Sequence, residues 1–408
     1  MATAAPIQET ERQSRPTWWR SPQRVWLRRA IFQIHLWVGI VLALYVVVIG
    51  LSGSALVFQP ELEEMLEGAR LHVTANGREA NLQRAIDAIV KARPGWRASG
   101  LEDFDKADRA VSLLLQKENA PRSSNYRMVA FDPYTGKVLL DRMRYSGVLG
   151  WITNLHFNLL GGETGLLISG WMSVGLLLLC LTGIVLWWPG VRRWAAALVL
   201  HRRRRWQRWN WDLHAVIGFW SCACLTVVTF TGLYFAFPNA VRSIVLATTG
   251  GEGNVAANAQ RPKSATAVEK SAPVLTIDAA LAAARKALPA NAPPGYLQLP
   301  AKVDAPYGAT GYYIGAAPYS QLVYVSLDSR TGQVLLREDT REAALGMRII
   351  QYFFAIHFGW FGGPGFWGVV VKLIWVLLGV APALLAITGL LMYWNRKLYP
   401  LWRRLGTR

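Results

Sequence analysis

Apolar and polar positions along this 408-residue chain separate into blocks. Four stretches of 23 to 31 residues carry no charge: Arg29 to Glu61, Glu163 to Arg192, Asp212 to Arg242 and Lys372 to Arg396. Each is long enough to cross a bilayer core, which takes ~20 helical residues. They predict transmembrane helices over 32–58, 164–189, 212–237 and 366–394. Lys372, near one end of the fourth, reads as a snorkelling side chain. Two polar segments, 59–147 and 238–346, predict soluble domains of α+β type. Each opens with a helical periodicity, at 81–93 and 276–288, and strands follow, as at 322–327 and 333–337. Residues 249–272, rich in Gly, Ala, Ser and Thr, read as a linker. A single helix from His156 to Pro189 would measure ~50 Å against a ~30 Å core. Gly161-Gly162, and Gly362-Gly363 in the second half, are therefore expected to break the helix. Segments 148–163 and 347–365 become interfacial pieces, each bearing a histidine.

The two halves resemble each other. His35, Gly39, Ser52, Gly53 and Phe58 recur as His214, Gly218, Thr231, Gly232 and Phe237. His156, Phe157, Gly161 and Gly162 recur as His357, Phe358, Gly362 and Gly363. Thr182, Gly183 and Trp188 recur as Thr388, Gly389 and Trp394. The soluble segments share a turn, Asp132-Pro-Tyr-Thr-Gly136-Lys-Val-Leu-Leu140 against Asp328-Ser-Arg-Thr-Gly332-Gln-Val-Leu-Leu336. Each half is thus helix, soluble domain, helix, a parallel repeat about an axis along the membrane normal.

Charge supplies the orientation. The whole chain is +19, which would ordinarily raise a nucleic-acid partner. Residues 1–34, 189–212 and 395–408 hold 18 basic and three acidic residues, leaving only +4 for the rest. The excess is a positive-inside signal, and no nucleic acid is needed. It predicts a membrane protein with both termini cytoplasmic. The basic N-terminus (1–31), loop (190–211) and tail (395–408) lie inside, and the soluble domains lie outside. Trp18, Trp19, Trp187, Trp188, Trp206, Trp209 and Trp211 read as an interfacial belt. Cys180, Cys222 and Cys224 all fall in spans, so the exported domains carry no disulfide framework.

The candidate chemistry is in the histidines. His72 and His201 sit in polar surroundings and read as solvated. The other four are the matched positions of the repeat. His35 and His214 open spans at the cytoplasmic end; His156 and His357 precede spans at the exported end. A lone intramembrane histidine is commonly a helix–helix hydrogen bonder. Two depth-matched pairs point instead to metal, because a buried imidazole lone pair needs a partner. Two histidines with no acid or thiol beside them suit axial ligation of haem iron. Zinc is the rival and would want a third or fourth protein ligand. Gly39 and Gly218, one turn along the same faces, would leave room for a flat macrocycle, or would serve close helix packing.

At these residues the chain resembles the PepSY-associated transmembrane family. Ile34-His-Leu-Trp-Val-Gly39, Leu51-Ser-Gly-Ser-Ala-Leu-Val-Phe58 and Pro60-Glu-Leu-Glu63 are similar to its first helix. Leu155-His156 through Gly161, Thr182-Gly183 and Leu186-Trp-Trp-Pro189 are similar to its second, and Asp212-Leu-His214 with Gly218 to its third. The soluble domains resemble PepSY domains, with Asp132–Leu140 and Asp328–Leu336 as their hairpins. The fold class expected is therefore α-helical membrane with α+β exported domains: four spans in two parallel repeats, each carrying a small PepSY-like periplasmic domain.

The family includes iron-regulated inner-membrane reductases of siderophores. The resemblance implies two b-type haems, bis-His, held by His35, His156, His214 and His357. It implies a ferric siderophore as substrate, and a reductase of this kind is expected to draw electrons from an unidentified donor, a quinol or a cytoplasmic reductase. No Gly-rich nucleotide loop follows a strand, so NAD(P)H oxidation lies outside this chain. Two other readings compete. The first is a non-redox, membrane-anchored PepSY protein that binds or regulates a peptidase. The second is a transporter built on the parallel repeat, disfavoured by spans with almost no charge.

Overall fold

The computed structural model describes residues 25–75, 81–117, 126–200, 205–249, 273–302 and 305–405. His201, the basic segment before residue 25 and nearly all of the 249–272 linker lie outside the described residues. The first half runs α1 (Trp26–Leu56), α2 (Gln59–Leu71), α3 (Leu82–Lys91), β1 (Trp96–Glu102), β2 (Val111–Lys117), β3 (Tyr126–Phe131), β4 (Val138–Met143), α4 (Gly147–Asn158) and α5 (Gly162–Trp187). The same order recurs as α6 (Trp206–Ala236), α7 (Pro238–Thr249), α8 (Ile277–Ala287), β5 (Pro294–Gln298), β6 (Tyr307–Tyr312), β7 (Leu322–Leu327), β8 (Val334–Asp339), α9 (Leu345–Phe358) and α10 (Phe366–Tyr393). A π-helical turn at 394–398 joins α10 to α11 (Tyr399–Leu405).

Among the described residues, four helices are long and apolar enough to cross a membrane: α1, α5, α6 and the continuous Phe366–Leu405. Val41, Leu44, Trp171, Trp220 and Leu377 are exposed on them, a surface suited to lipid rather than water. α1 and α6 begin before the expected residues 32 and 212, because helix-favouring arginines carry the coil past the apolar block. Three helices were not expected: α2 and α7, which follow directly on α1 and α6, and α11 in the expected basic tail. α4 ends at Asn158, and Leu159, Leu160 and Gly162 take left-handed φ of 48°, 61° and 58°. The break therefore begins ahead of the expected Gly161. α9 likewise ends early, at Gly359 with φ 70°.

The chain divides into two compact units. One holds residues up to Leu44, Gly175–Thr226 and Ala383 onward. In it, the Arg28 guanidinium donates to the carbonyls of Trp188 at 3.0 Å, Val185 at 3.4 Å and Leu186, satisfying the open end of α5. Asn210 Nδ2 donates to Thr388 O at 2.9 Å, and Cys222 Sγ to Cys180 O at 3.4 Å.

The other unit holds Tyr45–Val174 and Val227–Pro382. Here α1 and α10 pack closely, with Gly50 against the carbonyl of Gly379 and Ser54 Oγ donating to Val376 O at 2.9 Å. Lys372 forms an ion pair with Glu61 of α2, so its charge is neutralised within the protein.

The strands depart from expectation in one respect. The two α+β regions do not form separate sheets. They share one eight-stranded antiparallel sheet of order β4-β3-β2-β1-β5-β6-β7-β8. The seam pairs Gly100 with Gln298, Leu101 with Leu297 and Glu102 with Tyr296. Two four-stranded sheets would each leave an edge of unpaired backbone, and joining β1 to β5 removes both. α3 and α8 cover one face. Leu82, Ile86 and Ile89 from α3, with Ile277, Leu281 and Ala284 from α8, bury against Leu101, Leu113, Leu115, Leu297, Val323 and Val325. The two helices cap each other. Asp278 accepts from Leu82 N and Gln83 N, both at 3.0 Å, while Gln83 Oε1 accepts from Ile277 N at 2.9 Å. Both hairpins close on an Asp whose carboxylate accepts from the turn backbone, with Gly136 and Gly332 at φ 72° and 71°.

Candidate functional site

The histidines singled out by the repeat come together two by two. His35 of α1 and His214 of α6 have ring centres 6.5 Å apart, with planes at 86°. His156 of α4 and His357 of α9 have centres 6.3 Å apart, with planes at 51°. The first pair lies in the unit that holds Thr182 and Thr388, the second in the unit that holds the sheet. His72 stands apart, exposed, with Nε2 4.0 Å from Glu64.

Each ring is fixed by a hydroxyl. His35 Nδ1 lies 2.9 Å from Thr182 Oγ1, and His214 Nδ1 lies 2.9 Å from Thr388 Oγ1. His156 Nδ1 lies 3.0 Å from Ser52 Oγ. His357 Nδ1 lies 3.2 Å from Thr231 Oγ1 and 3.0 Å from Val228 O. The direction of these bonds follows from proton count. Each hydroxyl gives its one hydrogen to a carbonyl of its own helix: Thr182 to Leu178 at 2.7 Å, Thr388 to Leu384 at 2.7 Å, Ser52 to Val48 at 2.6 Å, Thr231 to Val228 at 2.9 Å. The hydroxyl can then only accept, so Nδ1 carries the proton. A lone pair remains on Nε2 of all four imidazoles, the tautomer that metal-ligating histidines adopt when their other nitrogen donates.

Among the described residues, none hydrogen bonds to any of these Nε2 atoms. The rings are half-buried, and no Nε2 is a sealed, unpaired atom, so each borders open space. The spacing can be tested against a shared metal. Two nitrogens each ~2 Å from one ion, with ring centres ~1 Å behind them, lie ~6 Å apart centre to centre. Both pairs meet that spacing. Among the described residues, no three His, Cys, Asp or Glu side chains converge, so each place offers two imidazoles and no third protein ligand. That donor set fits a metal whose other positions are filled by a macrocycle and does not fit structural zinc.

Glycine makes the seats. A Cβ on Gly53 would stand 2.8 Å from His156 Cε1, and one on Gly232 would stand 3.0 Å from His357 Cε1. On Gly183 it would stand 3.3 Å from His35 Cε1, and on Gly389 3.4 Å from His214 Cε1. Each of these glycines directly follows the hydroxyl residue that holds the same ring. The sequence showed these Ser/Thr-Gly pairs as repeat positions but not their work, because hydroxyl and imidazole sit on different helices. The repeat itself was the available signal: four His and four Ser/Thr-Gly pairs recur together.

Gly39 and Gly218 behave differently. Their nearest neighbours to a Cβ would be Leu179 Cδ2 at 3.8 Å and Leu385 Cδ2 at 3.7 Å, ordinary contact with no backbone approach. Close helix packing therefore does not account for them. Around the other pair the walls are aromatic. Phe157 lies 6.0 Å from His156, and Phe235 lies 5.3 Å from His357, with Phe354 and Phe358 beyond.

Residues 32–396 match the family described as the PepSY-associated TM region. An uncharacterized protein of Pseudomonas aeruginosa is 39% identical over 88 residues. The match spans 21% of this chain and 21% of that relative.

Proposed function

We propose a function from one premise: the chain belongs to the PepSY-associated transmembrane family. On that premise, and on four histidines set in two facing pairs, it is read as a di-haem inner-membrane ferric reductase. Its substrate is a ferric siderophore at the exported side, and its electron donor a quinol or a cytoplasmic reductase. In this reading both termini are cytoplasmic, and the two sheet-forming regions are PepSY-like periplasmic domains of a parallel repeat. The observation that carries the reading is the tautomer: four imidazoles with Nδ1 satisfied and a lone pair left on Nε2, on rings paired with centres 6.5 and 6.3 Å apart.

His35 and His214 would hold one b-type haem and His156 and His357 the other. Held by these imidazole pairs, haem would supply one-electron transfer rather than oxygen binding. The protein's own contribution is positional. Thr182, Thr388, Ser52 and Thr231 fix ring orientation and leave the ligating nitrogen basic. Gly53, Gly232, Gly183 and Gly389 admit the rings against the helix backbone. Phe157, Phe235, Phe354 and Phe358 line the second pair with aromatic surface. One electron converts substrate Fe(III) to Fe(II), a softer and less charged ion that hard oxygen chelators hold weakly, and iron is released. No nucleophile or acid–base pair is required.

A direct test is reoxidation. Protein reduced with dithionite and freed of excess reductant is mixed with a ferric siderophore and a ferrous-selective dye. The reading expects loss of the reduced absorbance in step with appearance of the ferrous dye complex. Reduced protein that keeps its spectrum in the presence of every ferric chelate offered contradicts it.

A further inference from the structure

The unit that holds the first histidine pair contains a cluster of side chains that the histidines do not use. Cys180 of α5 and Cys222 of α6 are free thiols, the first buried and the second half-buried. Cys222 Sγ donates to Cys180 O at 3.4 Å, so one sulfur already rests against the main chain of the other residue. The two thiols also meet each other, and both meet the hydroxyl of Thr226, one turn along α6. Thr226 Oγ1 gives its hydrogen to Cys222 O at 2.8 Å. Toward the sulfurs it can then only accept.

The repeat shows that filling space here does not require sulfur. At the offset that relates His35 to His214, the counterpart of Cys222 is Ala43. At the offset that relates Thr182 to Thr388, the counterpart of Cys180 is Ala386. Two alanine positions of one set are both cysteine in the other, and there the side chains touch. Cys224 supplies an internal contrast. It lies two residues beyond Cys222, on another side of the helix, and among the described residues it meets neither thiol.

The surroundings select the chemistry. Among the described residues no third metal-ligating side chain converges on the pair, so the donor set does not fit zinc. Leu181 and Ala223, next in sequence to the two cysteines, are exposed on membrane-length helices, a surface suited to lipid. An oxidant for this pair must arrive through the bilayer. It must also take protons together with electrons, because a charge left in an apolar site is costly. A membrane quinone meets both conditions.

We propose that Cys180 and Cys222 are a redox-active pair, which a membrane quinone oxidises to a disulfide between α5 and α6. A disulfide joins α-carbons ~4.4–6.8 Å apart, and a sulfur in contact with its partner's main chain marks helices close enough for one. Two S–H bonds break and one S–S bond forms. Two electrons and two protons pass to the quinone, which leaves as the quinol. The bridge ties the helix whose Thr182 fixes His35 to the helix that carries His214.

Thiol counting tests this without reference to haem. The full chain in detergent is reduced with dithiothreitol, freed of it and incubated without oxygen with a short-chain ubiquinone. It is then denatured in an alkylating reagent, digested and mapped by mass spectrometry. In wild type, two of the three cysteines should escape alkylation. The Cys180 and Cys222 peptides should appear joined, about 2 Da lighter than their thiol forms combined, and dithiothreitol should separate them. Cys224→Ser should leave the yield of bridge unchanged, and Cys180→Ser or Cys222→Ser should abolish it. Three alkylated cysteines in quinone-treated wild type, a bridge that includes Cys224, or a bridge between two chains overturns the proposal. A coloured protein that forms no bridge overturns it and leaves the reductase reading standing. A colourless protein that forms the bridge does the reverse.

Discussion

At the scale of the residue, a hydroxyl, a glycine and an imidazole meet four times. The four histidines were legible in the sequence because the repeat marks them. Their seats were not, because ring and hydroxyl lie between 104 and 174 residues apart and only the fold brings them together. The glycines give a graded prediction. Alanine at Gly53 or Gly232 puts a Cβ 2.8 or 3.0 Å from a ring that its Nδ1 bond prevents from yielding. Overpacking of this kind costs ~1–3 kcal/mol, and here it falls on ligand position. Gly53→Ala and Gly232→Ala should each remove one haem per chain, measured by pyridine haemochrome. Gly183→Ala and Gly389→Ala, at 3.3 and 3.4 Å, should retain haem and only shift its reduced absorbance. Loss of haem in the milder pair but not the tighter pair would show that the seats are not as described.

At the scale of the element, the four long helices were legible as charge-free blocks and the hairpins as Asp-to-Gly turns. The β1–β5 seam was not, since nothing in alternation says which free edge another strand will find. The helices α3 and α8 depend on each other through Asp278, whose carboxylate accepts two backbone N–H groups at the start of α3. Asp278→Ala should cost ~1–2 kcal/mol, the usual cost of a lost helix cap, and lower the thermal midpoint of the sheet region. Haem content should stay as it was, because no ring contact reaches the histidines from these caps.

α2 is tied in another way, by Glu64 accepting from Arg109 at 2.5 Å. The Arg109 guanidinium holds the Glu64 carboxyl below the usual carboxylate range. A depressed carboxyl pKa stabilises the fold above the ordinary glutamate value of ~4.3 and loses that effect as pH falls through the depressed one. Glu64→Gln should therefore narrow the difference in thermal midpoint between neutral and acidic buffer, as followed by circular dichroism. An unchanged difference would mean that the pair does not couple to folding.

At the scale of the whole molecule, a formal +19 divided by segment read as topology, and the described residues include four membrane-length helices and two histidine pairs. Each half of the chain supplies one imidazole to each pair and seats it with its own Ser/Thr-Gly. The duplication that was visible in the sequence is thus what makes both sites two-sided. The fused sheet, with Glu102 and Tyr296 at its seam, exists only when both halves are present. The central claim is that each pair shares one haem iron. It is tested most directly by the visible spectrum and haem stoichiometry of the purified full chain, expressed with adequate haem, beside His35→Ala and His357→Ala. Expected are a Soret band with sharp α and β bands on dithionite reduction, two haems per chain in wild type and one in each variant. A colourless wild-type protein, or variants that each keep both haems, would contradict it.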